Sequence, residues 1–105
     1  MASAKSEKAE IARTGGKPQP NSGRGKKKKG DATLEPFCYD VKEYATGYTV
    51  SRENWQKVCT DAMTSGMMEP AIQIVLGETN KVRLWVISDG MFEQMREAWL
   101  EKYEG

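Results

Sequence analysis

The run Ala71-Ile72-Gln73-Ile74-Val75-Leu76, opened by Pro70, constrains the fold most. A strand that is apolar at nearly every position is covered on both faces, which places it inside a sheet packed between helices. The elements around it fit that setting. Gly77 to Lys81 reads as a turn, and Val82 to Ile87 as the next strand, with Val82, Leu84 and Val86 on one face and Arg83, Trp85 and Ile87 on the other. Upstream, Ser51 reads as a helix N-cap with Glu53 in the first turn, where the dipole favours an anion. Trp55, Val58, Cys59, Ala62 and Met63 then follow at the spacing of one helical face, and Ser65-Gly66 ends it. Asp89 is placed to cap a last helix whose face is Phe92, Met95, Trp99 and Tyr103.

The first half of the chain reads less regularly. Residues 1–14 suit a short helix or arm from Ser3 or Ser6 to Arg13, stopped by Gly15-Gly16. Residues 15–30, rich in Gly and Lys, show no periodicity and read as a mobile basic loop. Residues 31–43 alternate apolar and polar side chains on either side of Glu35-Pro36-Phe37, a hairpin pattern, and 44–50 read as a loop. The expected fold is α/β: a central mixed sheet of about four strands flanked by helices, with 31–105 as the core and a flexible basic N-terminal region belonging to the same domain. The expected core rests on Trp55, Trp85, Phe92, Trp99 and the Ile72–Leu76 strand. That is thin for one chain and favours a homodimer.

Charge divides the chain sharply. Residues 1–30 carry nine Lys or Arg against two acids, a net +7, and residues 31–105 carry seven against thirteen, a net −6. A basic arm on an acidic body suits a polyanionic partner; a solubilising tail is the simpler alternative. The chain has no histidine, which removes Ser-His-Asp and Cys-His catalysis and histidine-ligated metal sites. No glycine-rich segment ends in Gly-Lys-Ser/Thr, so a phosphate-binding loop is also excluded. Cys38 and Cys59 lack zinc-site spacing and read as free thiols in a reducing compartment. With no bilayer-length apolar run and no signal-peptide core, a soluble cytoplasmic protein without a membrane partner is expected.

Oxygen-ligand metal chemistry remains. Asp40 and Lys42 share one face of a strand, roughly 6 to 7 Å apart along it, and Asp31 enters from the neighbouring strand. Asp31 and Asp40 are suited to bind Mg²⁺ (or Mn²⁺), with the Val41 carbonyl as a further ligand. Lys42 would orient a water or stabilise charge at phosphorus. Taken alone, an Asp-x-Lys on a strand is more often a solvated sheet face. Tyr39, Tyr44 and Tyr48 could stack on bases, although packing is the commoner role.

Taken in order, Glu7, Gly15-Gly16, Asn21-Ser22-Gly23, Lys29-Gly30-Asp31, Asp40-Val41-Lys42, Ser51 and Glu69-Pro70-Ala71-Ile72 resemble the PD-(D/E)xK nuclease superfamily. The likeness is to its small Holliday-junction-resolvase-like members of phage and archaeal type, and it spans roughly residues 5–95. The resemblance implies a small restriction-endonuclease-like fold and a Mg²⁺-dependent endonuclease, acting on branched DNA such as four-way junctions during recombination, as a homodimer. If phage-encoded, it would work in the host cytoplasm. It assigns Glu7, with Glu10 as fallback, to the acid of the first helix. Asp31 becomes the acid of the Pro-Asp element, although Gly30 stands in place of the proline. Asp40 and Lys42 become the acid-x-Lys, with aspartate in place of the commoner glutamate. Ser22 would sit in a loop near the scissile phosphate. Lys17, Arg24, Lys26, Lys27, Lys28 and Lys29 would hold the DNA backbone, positioning it without reading sequence.

Overall fold

The computed structural model describes residues 4–19 and 30–104, which form a mixed α/β arrangement of three helices and a five-stranded sheet. In chain order these are α1 (Ala4–Thr14), β1 (Lys17–Pro18), β2 (Ala32–Leu34), β3 (Phe37–Tyr44), α2 (Arg52–Thr64), β4 (Glu69–Leu76), β5 (Val82–Ile87) and α3 (Asp89–Glu104). The sheet order is β1-β2-β3-β4-β5. All neighbours are antiparallel except β3 and β4, which run parallel with α2 as the crossover between them. A parallel pair needs such a crossover, which puts a helix on one face. Interior β4 is buried from Ala71 to Val75, as its unbroken apolarity predicts.

Two apolar layers sandwich the sheet. On the α1 side, Ile11 packs with Ala32, Tyr39, Val41, Ala71 and Val75. On the α2 side, Val58 meets Ile72 and Ile74, with Trp55, Tyr48, Leu76 and Val86 around them. The strand alternation assigns these sides: Tyr39 and Val41 point to α1, while Asp40 and Lys42 point to α2 beside their parallel partners Ile72 and Ile74. Tyr39 is fully buried; its hydroxyl lies 3.0 Å from the Thr14 hydroxyl and its ring meets Trp85 edge-on.

Several helix ends follow from local chemistry. Gly15, at φ +84°, terminates α1: its N–H donates to the Ala12 carbonyl and the Gly16 N–H to the Ile11 carbonyl, the paired bonds of a Schellman cap. At the start of α2, the Ser51 hydroxyl accepts from the Asn54 N–H at 3.0 Å, as expected. The cap of α3 is Ser88 rather than Asp89, since the Met91 N–H donates to the Ser88 hydroxyl; Asp89 instead supplies first-turn negative charge.

The structure corrects four further expectations. The sheet has five strands, because Lys17-Pro18 pairs with Thr33 and Ala32 within the stretch expected to be a loop. Two residues give no periodicity to read, and a proline is tolerated there because β1 is an edge. Strand β3 continues to Tyr44, paired with Leu76, beyond the expected loop boundary. Helix α1 runs to Thr14, whose hydroxyl lies 3.0 Å from the Ile11 carbonyl. The aromatic core is smaller than expected: Trp85, Phe92 and Trp99 are 41%, 55% and 58% exposed, so Tyr39 and the aliphatic residues carry the interior. Among the described residues, no helix is long and apolar enough to cross a membrane.

Candidate active site

The sheet opens a fork where β2 begins and β3 runs on past it. Ala32 is the first β2 residue paired to β3, opposite Tyr39, and the Asp31 N–H still donates to the Tyr39 carbonyl. Beyond that point β3 lacks a β2 backbone partner. The Asp31 side chain supplies the next bond itself: its Oδ2 accepts from the Val41 N–H at 2.8 Å. A strand residue sends its N–H and C=O to the same side, so the Val41 carbonyl also faces the fork.

Asp31, just ahead of β2, and Asp40, on β3, lie near enough at the fork for the charge of Asp31 to raise the Asp40 carboxyl pKa. Glu7 approaches from α1, near enough for its carboxyl to feel the charges of Asp31 and Asp40. Burial holds the Glu7 carboxyl above its ordinary pKa; the charges of Asp31 and then Asp40 raise it further, and Lys42 opposes them. Asp40, only 5% exposed, is also raised, first by burial and next by Asp31, with Lys57 and Lys42 lowering it. Glu7, Asp31, Asp40 and Lys42 thus act on one another electrostatically, although α1, β2 and β3 deliver them separately. Lys42 is half-buried and, among the described residues, has no ion pair within 4.0 Å, so its ammonium is uncommitted.

The two acids of α1 stand in different surroundings. Glu10 is buried and held by Arg83 through two bonds, Nε to Oε1 at 3.0 Å and the terminal nitrogen to Oε2 at 3.1 Å, with Lys81 at 3.8 Å. That hydrogen bonding lowers its pKa. Glu10 fastens α1 to β5 and is not available to the fork; Glu7 is the acid that reaches it.

Lys57 on α2 is a site residue that the sequence reading missed. Its Nζ lies 3.0 Å from Asp61, one helical turn on, and 3.9 Å from Asp40. The spacing to Asp61 was visible in the sequence, but only the α2 crossover brings Lys57 over β3. Gln73 belongs to the other side of the sheet. It pairs with Val41, so it points towards α1 while Asp40 points towards α2.

Gly30 has φ +87°, which proline, fixed near φ −65°, cannot adopt. The glycine in place of the expected proline therefore reflects the backbone turn that delivers Asp31. A Cβ there would also stand 2.9 Å from the Cys38 sulfur. Lys17 lies exposed on the edge strand, opposite Thr33. Ser22, Arg24, Lys26, Lys27, Lys28 and Lys29 lie outside the described residues.

As the side chains stand, the described residues contain no set of three or more His, Cys, Asp or Glu arranged to hold a metal ion. The donors the fork does offer are hard oxygens: the Asp31 and Asp40 carboxylates and the Val41 carbonyl, with Glu7 behind. That chemistry suits Mg²⁺ or Mn²⁺, and a cation would relieve the mutual repulsion that raises Glu7 and Asp40. No family model, curated protein or solved structure matches the chain.

Proposed function

We propose that this chain is a metal-dependent endonuclease that hydrolyses phosphodiester bonds in branched or structured DNA, resembling the Holliday junction resolvases, on a small restriction-endonuclease-like fold. The observation that carries the reading is the convergence of Glu7, Asp31, Asp40 and Lys42 at the β2–β3 fork, the four positions that the sequence resemblance assigns to such a site. The element order, with an acid-bearing helix, a hairpin and a helical crossover into a parallel strand, supports the fold reading.

In this reading Asp31, Asp40 and the Val41 carbonyl hold Mg²⁺ or Mn²⁺, which would polarise the phosphate and acidify water when bound. The rest falls to the chain's own groups. Asp31 is fixed by the Val41 N–H, so one of its oxygens is oriented before substrate arrives. Lys42, with no competing carboxylate pair, orients the attacking water or neutralises charge growing on the phosphoryl oxygens. Glu7, with its raised pKa, accepts or shares a proton at the rim. Lys57 screens Asp40 from the α2 side. Lys17, Ser22, Arg24 and Lys26 to Lys29 supply backbone contacts to the DNA, independent of sequence.

The test is cleavage of a labelled four-way junction in Mg²⁺ by the full chain beside Asp40→Asn and Lys42→Ala. Wild type should cut, and each variant should bind alike but cut about 10²-fold more slowly or worse. If all three bind and none cuts, the chain is a non-catalytic nucleic-acid-binding module. If binding shows no salt dependence, the basic arm has no role in DNA contact.

A further inference from the structure

Helix α1 is held to the sheet mainly by polar groups. Among its described side chains only Glu10 and Ile11 are buried, and Ile11 is the one large apolar side chain it lays on the sheet. A single apolar anchor fixes a point of contact but lets the helix turn about its own axis. Polar ties remove that freedom. The Ser6 hydroxyl donates to Glu43 Oε1 at 2.7 Å, Arg83 donates twice to Glu10, and the Thr14 hydroxyl lies 3.0 Å from the Tyr39 hydroxyl. Ser6, Glu10 and Thr14 are spaced four apart, so they form one row along α1, and Glu7 and Ile11 form the adjacent row.

Lys81, in the turn before β5, joins these ties. Its ammonium stands 3.3 Å from Glu43 and 3.8 Å from Glu10, so charges alternate from Arg83 through Glu10 and Lys81 to Glu43. The Glu10 and Glu43 side chains are 6% and 10% exposed, which shields the ties from salt better than surface pairs are shielded. Glu7 lies between the two points where this network meets α1, next to Ser6 and one turn before Glu10. Buried ion pairs add little net stability over apolar residues of like volume, and their best-attested use is to fix register.

We propose that this ionic strap is a positioning device: Ser6, Glu10, Glu43, Lys81 and Arg83 set the rotation of α1 about its axis and so aim Glu7 at the β2–β3 fork. The inference rests on the reading of Glu7 as an acid of the site. The lever is sensitive. A helical side chain ends about 5–6 Å from the axis, so a turn of about 30° carries the Glu7 carboxyl roughly 3 Å. A misplacement of about 1 Å can cost on the order of 10²-fold in rate. Arg83 and Lys81 thus act on the fork through α1, from the far side of β4.

Nuclear Overhauser spectra of the full chain, without metal or DNA, read two contacts: the Glu7 side chain with Asp31, and the Ile11 side chain with Tyr39. Wild type should show both. Glu10→Leu combined with Arg83→Met replaces the pair by apolar groups and should leave the urea midpoint near that of wild type. It should keep the Ile11–Tyr39 contact and weaken Glu7–Asp31 at least about threefold. Ser6→Ala, at a helix position where alanine is well tolerated, should weaken the same contact at least about twofold. Lys8→Gln, on the exposed side of α1, should change neither. A Glu7–Asp31 contact missing from wild type, or unmoved in the double variant or in Ser6→Ala, would overturn the proposal. So would loss of both contacts together, since the strap would then only anchor the helix. In an active enzyme the double variant should also lower kcat for junction cleavage at least about tenfold with KM unchanged, and an unchanged kcat would count against the strap. A wild type that cuts nothing sinks the nuclease reading alone and leaves the two contacts to judge the strap.

Discussion

Gln73 lies in the middle of β4, 1% exposed, between Val41 and Trp85, and its side-chain oxygen has no hydrogen-bond partner among the described residues. A buried acceptor left unpaired costs about 1–3 kcal/mol. Methionine is unbranched and of similar length, so Gln73→Met removes the polar amide without opening a cavity. The residual misfit of such a swap is below about 1.5 kcal/mol, and losing the amide's donor costs up to about 1 kcal/mol. The net expectation is a stabilisation of about 1 kcal/mol. For a domain of this size that raises Tm by about 4–8 °C. Urea denaturation followed by far-UV circular dichroism measures it: the midpoint should rise with the slope unchanged, which attributes the change to the folded core rather than to altered compactness. A loss of about 1 kcal/mol or more would refute the reasoning, because it would mean the amide oxygen is satisfied in solution.

Three further outcomes are expected. Asp40 has a folded-state pKa raised by burial and by Asp31, so the native state binds its proton more readily than the unfolded chain does, and the charged form destabilises the fold at neutral pH. Asp40→Asn should therefore be more stable than wild type near pH 7, and its advantage should shrink as pH falls through the raised value towards the ordinary aspartate range; an advantage constant with pH in urea titrations would refute this. Millimolar Mn²⁺ should raise the Tm of wild type by preferential binding to the native state and leave Asp31→Asn with Asp40→Asn unshifted in thermal melts; an equal shift in both would place the ion elsewhere. Gly16→Ala should cost about 1–3 kcal/mol in urea titrations, since its Cβ would collide with the Tyr39 hydroxyl; Gly15→Ala has open space and should cost only the left-handed backbone penalty of about 1–2 kcal/mol.

Strands β4 and β5 were legible in the sequence because their side-chain patterns have a period of two and turn residues bound them. The same alternation placed Asp40 and Lys42 on one face. The choice between Glu7 and Glu10 was not legible, because it depends on how α1 lies over the sheet. Arg83, from 73 positions away, engages Glu10 and leaves Glu7 without that partner. Lys57 was hidden for a similar reason: its local partner Asp61 accounts for it fully until the crossover brings it to Asp40. Helix α3 shows a further limit. Its spacing announces an apolar face, but periodicity says only that the face avoids water, and the expectation that Trp99 and Phe92 fill the core supplied a partner that the fold does not provide. The role of Gly30 became intelligible only through its dihedral angle.

The bond from Asp31 to the Val41 N–H ties the acidic cluster to main-chain register. The oxygen that ends the β2–β3 ladder belongs to the same carboxylate that crowds Asp40, so this side chain cannot rotate away from its neighbours without unfastening the strand. Electrostatic discomfort at the mouth is thereby locked in place, whereas a longer acid at position 31 would bow the two strands apart to keep the same grip. Aspartate at this position is set by the spacing of a β-ladder.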